Sequence, residues 1–158
     1  RNYSGKINLG LLVIVSLISL PFYYQFNTFP RSSFRELANS LGIFSPEVTI
    51  IHDNKLSFFP TMFYEERDNT FYLKDQAGSP NDTLAFDSQL AMGYVASENI
   101  EQYLELDRLV FIVFEKTLDE YGQSNLDHPV VATLRNEYKE IEEFFIGDIV
   151  VYSLEEKR

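Results

Sequence analysis

The stretch RLVFIVFEK, residues 108–116, decides the fold of this chain. It is a continuous apolar run of strand length, rich in β-branched and aromatic residues. Such a run is typical of a strand that other elements cover on both faces. We therefore expect it to form the central strand of a sheet.

The segments on either side of this strand carry shorter signals. Ser97 precedes a predicted short helix over 98–106, and Pro129 suits the first turn of a last helix, with Asp127 or His128 near its cap. An apolar helical rhythm continues that helix through Val131, Leu134, Tyr138, Ile141 and Phe145. IVVYS, residues 149–153, is either an edge strand or a lead toward a further segment.

Two hairpins are predicted further upstream. In VTIIHDNKLSFF, residues 48–59, strand-forming runs flank Asp53 and Asn54, a pair that tolerates turn conformations. TMFYEERDNTFYLKD, residues 61–75, repeats the pattern around 67–69, and residues 83–88 could add a strand. Two successive hairpins indicate an antiparallel meander.

A short amphipathic helix is predicted over RSSFRELANSLG, residues 31–42. Ser33 and Glu36 have capping-box spacing, and Gly42 can close the helix in the left-handed conformation. Taken together, these patterns predict an α+β domain over residues 31–158, with a small antiparallel sheet and two or three helices.

The start of the chain has the character of a membrane anchor. INLGLLVIVSLISLPFYYQF, residues 7–26, lies within 24 uncharged residues between Lys6 and Arg31. Roughly 20 apolar residues in a helix cross a bilayer, and Pro21 near the end of the span is tolerated. The aromatic residues that follow predict an interfacial belt of Phe22, Tyr23, Tyr24, Phe26 and Phe29.

Two other interpretations of this stretch stay open. A signal peptide also has a basic start and an apolar run, but Phe-Tyr-Tyr follows here in place of the small residues of a cleavage site. A buried core helix would show a polar face, and only Ser16 and Ser19 interrupt the aliphatic residues. We therefore expect residues 1–30 to be a transmembrane anchor with a short cytoplasmic lead.

Charge predicts the orientation of the anchor and excludes one class of partner. Residues 1–31 hold three basic residues and no acidic one, whereas the remainder holds all 24 acidic residues against ten basic ones. The positive-inside rule then places the N-terminus in the cytoplasm and the acidic body outside it. An acidic body repels phosphate backbones, so nucleic acid is not an expected partner.

The sequence contains no recognisable catalytic or metal-binding motif. The absence of cysteine excludes disulfides, thiolate catalysis and cysteine-based zinc sites. His52 and His128 lack metal-site spacing and are expected to be a turn-side strand residue and a helix-start residue. The paired carboxylates at 65–66, 119–120 and 142–143 are expected on solvated faces, and the aromatic pairs in the core. No cofactor, metal or catalytic residue is predicted.

Two segments carry a resemblance to a known family. The apparent span ends in SLISLPFYYQF, and a short helix later PEVTIIHDNKLSFFP supplies Pro46, Thr49, Ile50, Lys55 and Leu56. With LAFDS at residues 84–88, the chain resembles the bacterial multi-spanning membrane proteins of unknown function that include the maltodextrin-utilisation proteins. The resemblance covers roughly residues 7–90. It implies a span, an extracytoplasmic α+β domain opened by a strand-turn-strand unit, and an accessory role beside a sugar transporter, without catalytic residues.

These observations favour one function over two others. The expected protein is a non-enzymatic, membrane-anchored extracytoplasmic domain whose partners are the bilayer and a membrane or envelope protein or component. A structural subunit of a larger membrane complex is the first alternative. A carboxylate-using envelope enzyme is the second, and it requires two acidic side chains that converge in a cleft.

Overall fold

The computed structural model describes residues 11–20, 33–75 and 85–158. The chain divides into two compact units, Arg1–Ser32 and Ser33–Arg158. In the first unit, residues 11–20 form helix α1, and the aliphatic side chains there are 45–65% exposed. Among the described residues, no helix reaches the length and apolarity that crossing a bilayer requires.

The second unit is an α+β domain built on a five-stranded sheet in the order β2-β1-β3-β5-β4. Strand β1 pairs in parallel with β2 and β3, whereas β5 is antiparallel to both β3 and β4. The strands are β1 (Thr49–His52), β2 (Thr70–Tyr72), β3 (Arg108–Phe114), β4 (Tyr138–Ile146) and β5 (Ile149–Lys157). The α+β prediction is confirmed, but the expected antiparallel sheet is wrong, because the sheet is mixed.

Five α-helices and one 3-10 turn surround this sheet in the described part of the second unit, where two or three helices were expected. The α-helices are α2 (Phe34–Leu41), α3 (Lys55–Tyr64), α4 (Phe86–Met92), α5 (Glu115–Gln123) and α6 (Pro129–Glu137). The 3-10 turn spans Glu101–Tyr103.

Strand β3 is the central strand that its apolar run predicts. Leu109 through Val113 are at most 1% exposed, and β3 lies between β1 and β5. Because successive strand side chains point to opposite faces, Phe111 joins one apolar cluster and Ile112 the other. Helix α6 and the 3-10 turn cover the Phe111 face, and α2 covers the Ile112 face. The centre of the sheet is therefore buried on both sides.

The first predicted hairpin is a strand followed by a helix. Asn54 ends the extended segment, and its side-chain oxygen accepts a hydrogen bond from the Leu56 N–H at 2.9 Å, which makes it the N-cap of α3. Helix α3 then buries Ser57, Phe58 and Thr61. A helical crossover brings the next strand in parallel, which is why β1 and β2 do not form a meander.

Other local predictions also need correction. Helix α2 is confirmed, but Gly42 is right-handed (φ −60°) and the Ser33 side chain forms no capping hydrogen bond. The region expected as a strand over 83–88 begins helix α4 at Phe86, and the helix expected over 98–106 is only the 3-10 turn.

The C-terminal hairpin replaces the second half of the predicted last helix. Helix α6 starts at Pro129 as expected but ends at Glu137, and β4 follows directly. Gly147 has φ +63° and opens a two-residue turn between Ile146 and Ile149, a position where glycine is strongly preferred. Strand β5 runs beyond the predicted 149–153 and is an inner strand, not an edge.

Candidate functional site

The order of the parallel strands creates a crevice at the carboxyl ends of these strands. The chain passes from β1 to β2 on one side of β1 and then crosses to β3 on the other side. At such a topological switch point the connections leave in opposite directions, and ligands of open sheets bind outside the carboxyl ends of the strands there. A cavity of about 380 Å³ opens at this place.

We call this cavity the switch-point crevice and define it by four groups of lining residues. They are Asp53 and Asn54 after β1, Leu73, Lys74 and Asp75 after β2, residues 98–101, and the facing sides of α5 (Thr117, Glu120, Tyr121) and α6 (His128, Pro129, Val130, Thr133). Most of these side chains are polar, so the crevice offers hydrogen bonds rather than an apolar slot.

A buried histidine and a carboxylate meet in the wall of the crevice. Nε2 of His128 lies 3.3 Å from Oδ1 of Asp53, and the two side chains are 5% and 14% exposed. Asn54 donates to the other carboxylate oxygen at 3.3 Å. The other ring nitrogen of His128, Nδ1, is buried and has no hydrogen-bond partner among the described residues. Tyr121 holds the ring edge-on, with centroids 4.8 Å apart.

A buried ion pair joins the ends of β1 and β2. Lys55, the first residue of α3, pairs with Asp75, and the two side chains are 9% and 10% exposed. Two charges this deeply buried need each other, because either one alone would be left desolvated. The pair therefore holds the α3 N-terminus against the segment after β2, and it forms one corner of the crevice.

The rim of the crevice is acidic and exposed to solvent. Lys74 pairs with Glu98 at 3.0 Å, but both side chains are more than half exposed, so the pair adds little stability. Glu101 and Glu120 also line the cavity and are exposed. A ligand with hydroxyl groups or positive charge matches this rim better than an anion does.

Three predictions about single residues have clear outcomes. His128 is the helix-start residue that was expected, since it is the N-cap of α6. His52 is fully buried and not a turn-side residue. Its Nδ1–H donates to the Ser57 hydroxyl at 3.1 Å, and burial lowers its pKa to about 3. The expected belt of Phe22, Tyr23, Tyr24, Phe26 and Phe29 lies outside the described residues.

Sequence reasoning missed the crevice. It assigned Asp53 and Asn54 to a turn, and it treated His128 as a local helix feature. Of the paired carboxylates that it singled out, Glu120 alone lines the cavity. One signal was present in the sequence: a polar Asp-Asn-Lys run directly follows the buried strand Thr49–His52.

No candidate metal site is found among the described residues that line the crevice. Within residues 11–20, 33–75 and 85–158, no group of three or more His, Asp or Glu side chains is placed to hold a metal ion. Oδ1 of Asp53 contacts His128, Oδ2 of Asp53 accepts from Asn54, and Oδ2 of Asp75 pairs with Lys55. Comparison of the chain with known protein families, curated proteins and solved structures gives no match.

Proposed function

We propose that this protein is a non-enzymatic binding domain, anchored to a membrane, with its acidic body outside the cytoplasm. Its ligand site is the switch-point crevice. The observation that carries the proposal is the position of a 380 Å³ polar cavity at the carboxyl ends of adjoining parallel strands, where sheets of this kind bind ligands.

Binding fits the wall of the crevice better than catalysis. Asp53 and Asp75 each accept from a neighbouring donor, so neither is a bare carboxylate. The Thr133 hydroxyl donates to the Pro129 carbonyl at 3.1 Å and is therefore not poised as a nucleophile. The carboxylates and the hydroxyl therefore stabilise the wall of the crevice, and their oxygens can accept further hydrogen bonds from a bound molecule.

A carboxylate-using envelope enzyme is the second candidate. The Asp53–His128 pair favours it, because a carboxylate that orients an imidazole is a common arrangement for a general base. In that case the unpartnered Nδ1, or Nε2 after a rearrangement, would take the proton. The binding proposal needs only the hydrogen bonds already in place.

The anchor is supported by the sequence and by the character of α1. Uncharged residues fill the chain from 7 to 30, and basic residues precede them. The described aliphatic side chains of α1 are exposed, which suits a lipid environment or packing in a larger membrane complex. Together with the resemblance to the maltodextrin-utilisation proteins, this favours an accessory role beside a transporter.

Single cysteines test location and binding together, since the chain has no native thiol. We would place them separately at Ser4, Ser79 and the crevice residue Thr117, and label intact cells with a membrane-impermeant maleimide. The expected result is labelling at Ser79 and none at Ser4. Thr117→Cys should react more slowly in cells than in purified protein, because in cells the ligand that is bound in the crevice covers the thiol.

A matched control distinguishes occupancy from poor access. Glu47 is exposed and precedes β1, so it lies at the amino end of this strand, whereas the crevice lies at the carboxyl end. Glu47→Cys should react equally in cells and after purification. Labelling of all outer cysteines at one rate in both settings would contradict an occupied crevice, and protection of Ser79 as well as Ser4 would contradict an outward body.

A further inference from the structure

The outer edge of β4 is the second surface that can receive a partner. Strand β4 has nine residues and pairs on one side with β5, and no strand of the described residues lies on its other side. The opposite edge of the sheet is different: β2 has three residues, and Ser97 covers its end through hydrogen bonds with Tyr72 and Lys74 at 2.8 Å.

The hairpin register shows which backbone groups of β4 are free. Ile146 and Ile149 flank the two-residue turn, and the turn hydrogen bond joins them. Backbone groups alternate in direction along an antiparallel strand. Residues 140, 142 and 144 therefore bond to β5, whereas the N–H and C=O groups of residues 139, 141, 143 and 145 point outward, where an added strand would bind them.

The two faces of this edge differ in chemistry. Glu140 and Glu142 share one face, and neither forms an ion pair within the described part of the chain. On the other face, Ile141 packs against the core, and Phe145 is 59% exposed. Glu143 lies between Ile141 and Phe145 on that second face. An added strand would thus meet two carboxylates without ion pairs on one face, and on the other face apolar side chains on either side of one carboxylate.

We propose that β4 binds an extended, basic segment of a partner protein, which adds as an antiparallel sixth strand. Its Lys or Arg residues lie at alternate positions opposite Glu140 and Glu142, and its intervening apolar residues contact Ile141 and Phe145. Main-chain hydrogen bonds supply affinity and the alternating side chains supply specificity, as in other cases of strand addition.

A second copy of this chain does not fit the same edge. Antiparallel pairing of two β4 strands in a centred register would bring the glutamates of residues 140–143 together, and like charges directly opposite each other destabilise a strand pair. The acidic residues thereby select against self-association and in favour of a basic segment. The inference does not use the crevice, so it stands or falls independently of the ligand site.

The test uses the full chain in nanodiscs of phosphatidylcholine, a lipid that does not attract basic peptides. The probe is a fluorescent peptide of alternating Lys and Val, and the readout is its anisotropy. Glu140→Lys/Glu142→Lys should weaken binding about tenfold or more, since two charge pairs become repulsive. The control is Glu47→Lys/Asp68→Lys, which makes the same charge change at exposed positions near the β2 edge and should leave binding unchanged.

Backbone substitutions separate strand addition from simple charge attraction. Glu143→Pro removes an outward N–H without removing a bond to β5 and should abolish binding, whereas Glu143→Gln, which removes the same charge and keeps the N–H, should not. In an antiparallel pair, the Val amides of the peptide face β4 and the Lys amides face away. N-methylation at Val should therefore abolish binding, and N-methylation at Lys should not.

Four results would overturn the inference. They are the absence of peptide binding by the native chain, equal weakening by the two double charge reversals, no difference between the two methylated peptides, and a native dimer that Glu143→Pro dissociates. The last result would assign the β4 edge to a second copy. Slowed labelling of Thr117→Cys reports on the crevice separately, so the two proposals can fail independently.

Discussion

Nε2 of His128 lies 3.3 Å from Oδ1 of Asp53, although the two residues are far apart in the sequence. Asp53 follows the first strand of the sheet, and His128 is the N-cap of the last helix. This contact closes the wall of the crevice by joining α6 to the end of β1. The wall between α6 and β1 therefore contains a polar pair with little exposure to solvent.

The energetic coupling of this pair can be measured directly. We expect Asp53→Ala to destabilise the domain by about 1–3 kcal/mol, because it leaves the buried imidazole of His128 without the carboxylate that it contacts. In a double-mutant cycle with His128→Phe, the interaction term should be about 1 kcal/mol or more. Urea unfolding followed by circular dichroism provides the measurement. Glu101→Gln, an exposed change in the same crevice, should be additive with His128→Phe; an additive result for Asp53→Ala would refute the coupling.

The Lys55–Asp75 pair should behave as a buried ion pair. Lys55→Met is expected to cost about 3 kcal/mol, because the Asp75 carboxylate is left desolvated and unpaired. Lys55→Met/Asp75→Leu should recover most of that loss. The exposed pair of Lys74 and Glu98 is the matched control, and Lys74→Met should cost less than about 1 kcal/mol. Equal losses at the two lysines, measured by urea unfolding, would show that burial of the first pair is unimportant.

His52 should make the domain sensitive to mild acid. The Ser57 hydroxyl donates to the Asn54 carbonyl at 3.2 Å, so it accepts from Nδ1–H of His52. The Nε2 atom is buried without a partner, and burial lowers the His52 pKa from 6.5 to about 3. Between these two values the unfolded chain binds a proton that the folded chain does not, so stability falls as pH falls.

The size of this effect follows from the unfolded-state pKa of histidine. From pH 7.5 to pH 5, the His52 contribution to the free energy of unfolding should fall by about 2 kcal/mol. In His52→Leu that part of the pH dependence should be absent, while the contribution of the carboxylates remains. Urea unfolding at several pH values checks this, and identical pH profiles for the two proteins would argue against a neutral buried His52.

Gly147 should tolerate substitution less well than Gly93. Both have positive φ, at +63° and +77°, so alanine at either position is expected to cost about 1–2 kcal/mol. A Cβ at Gly147 would in addition lie 3.0 Å from the Ser33 hydroxyl oxygen, whereas nothing lies within 4 Å at Gly93. The Tm of Gly147→Ala should be lower than that of Gly93→Ala, and Ser33→Gly should reduce this difference in Tm. Equal Tm values for the two alanine variants would mean that the contact with Ser33 is not tight.

The sequence was most informative where local and tertiary preferences agree. The run at β3 is apolar on both faces because it is covered on both faces, so its central position could be predicted. Proline is favoured in the first turn of a helix, and α6 starts at Pro129. These signals are local and needed no knowledge of strand pairing.

The signals failed where the same spacing fits two structures. Tyr138, Ile141 and Phe145 follow a helical spacing, yet pairing with β5 makes this segment a strand. The aromatic residues and Pro60 of α3 favour a strand or a loop over a helix, and its N-cap Asn54 is a residue type that is also common in turns. Apart from the polar run after β1, nothing in the sequence indicated the crevice, because it arises from the order of the strands and joins residues that are distant in the sequence.

The position of β5 has a consequence for synthesis on the ribosome. This strand lies between β3 and β4, but it is the last of the five to emerge from the exit tunnel. Until β5 emerges, β3, the most apolar strand, has no hydrogen-bonded neighbour on one side, and the growing polypeptide cannot complete its sheet. Maturation of the domain should therefore be late and abrupt, and helper proteins that shield nascent chains should matter most in the interval between the appearance of β3 and that of β5.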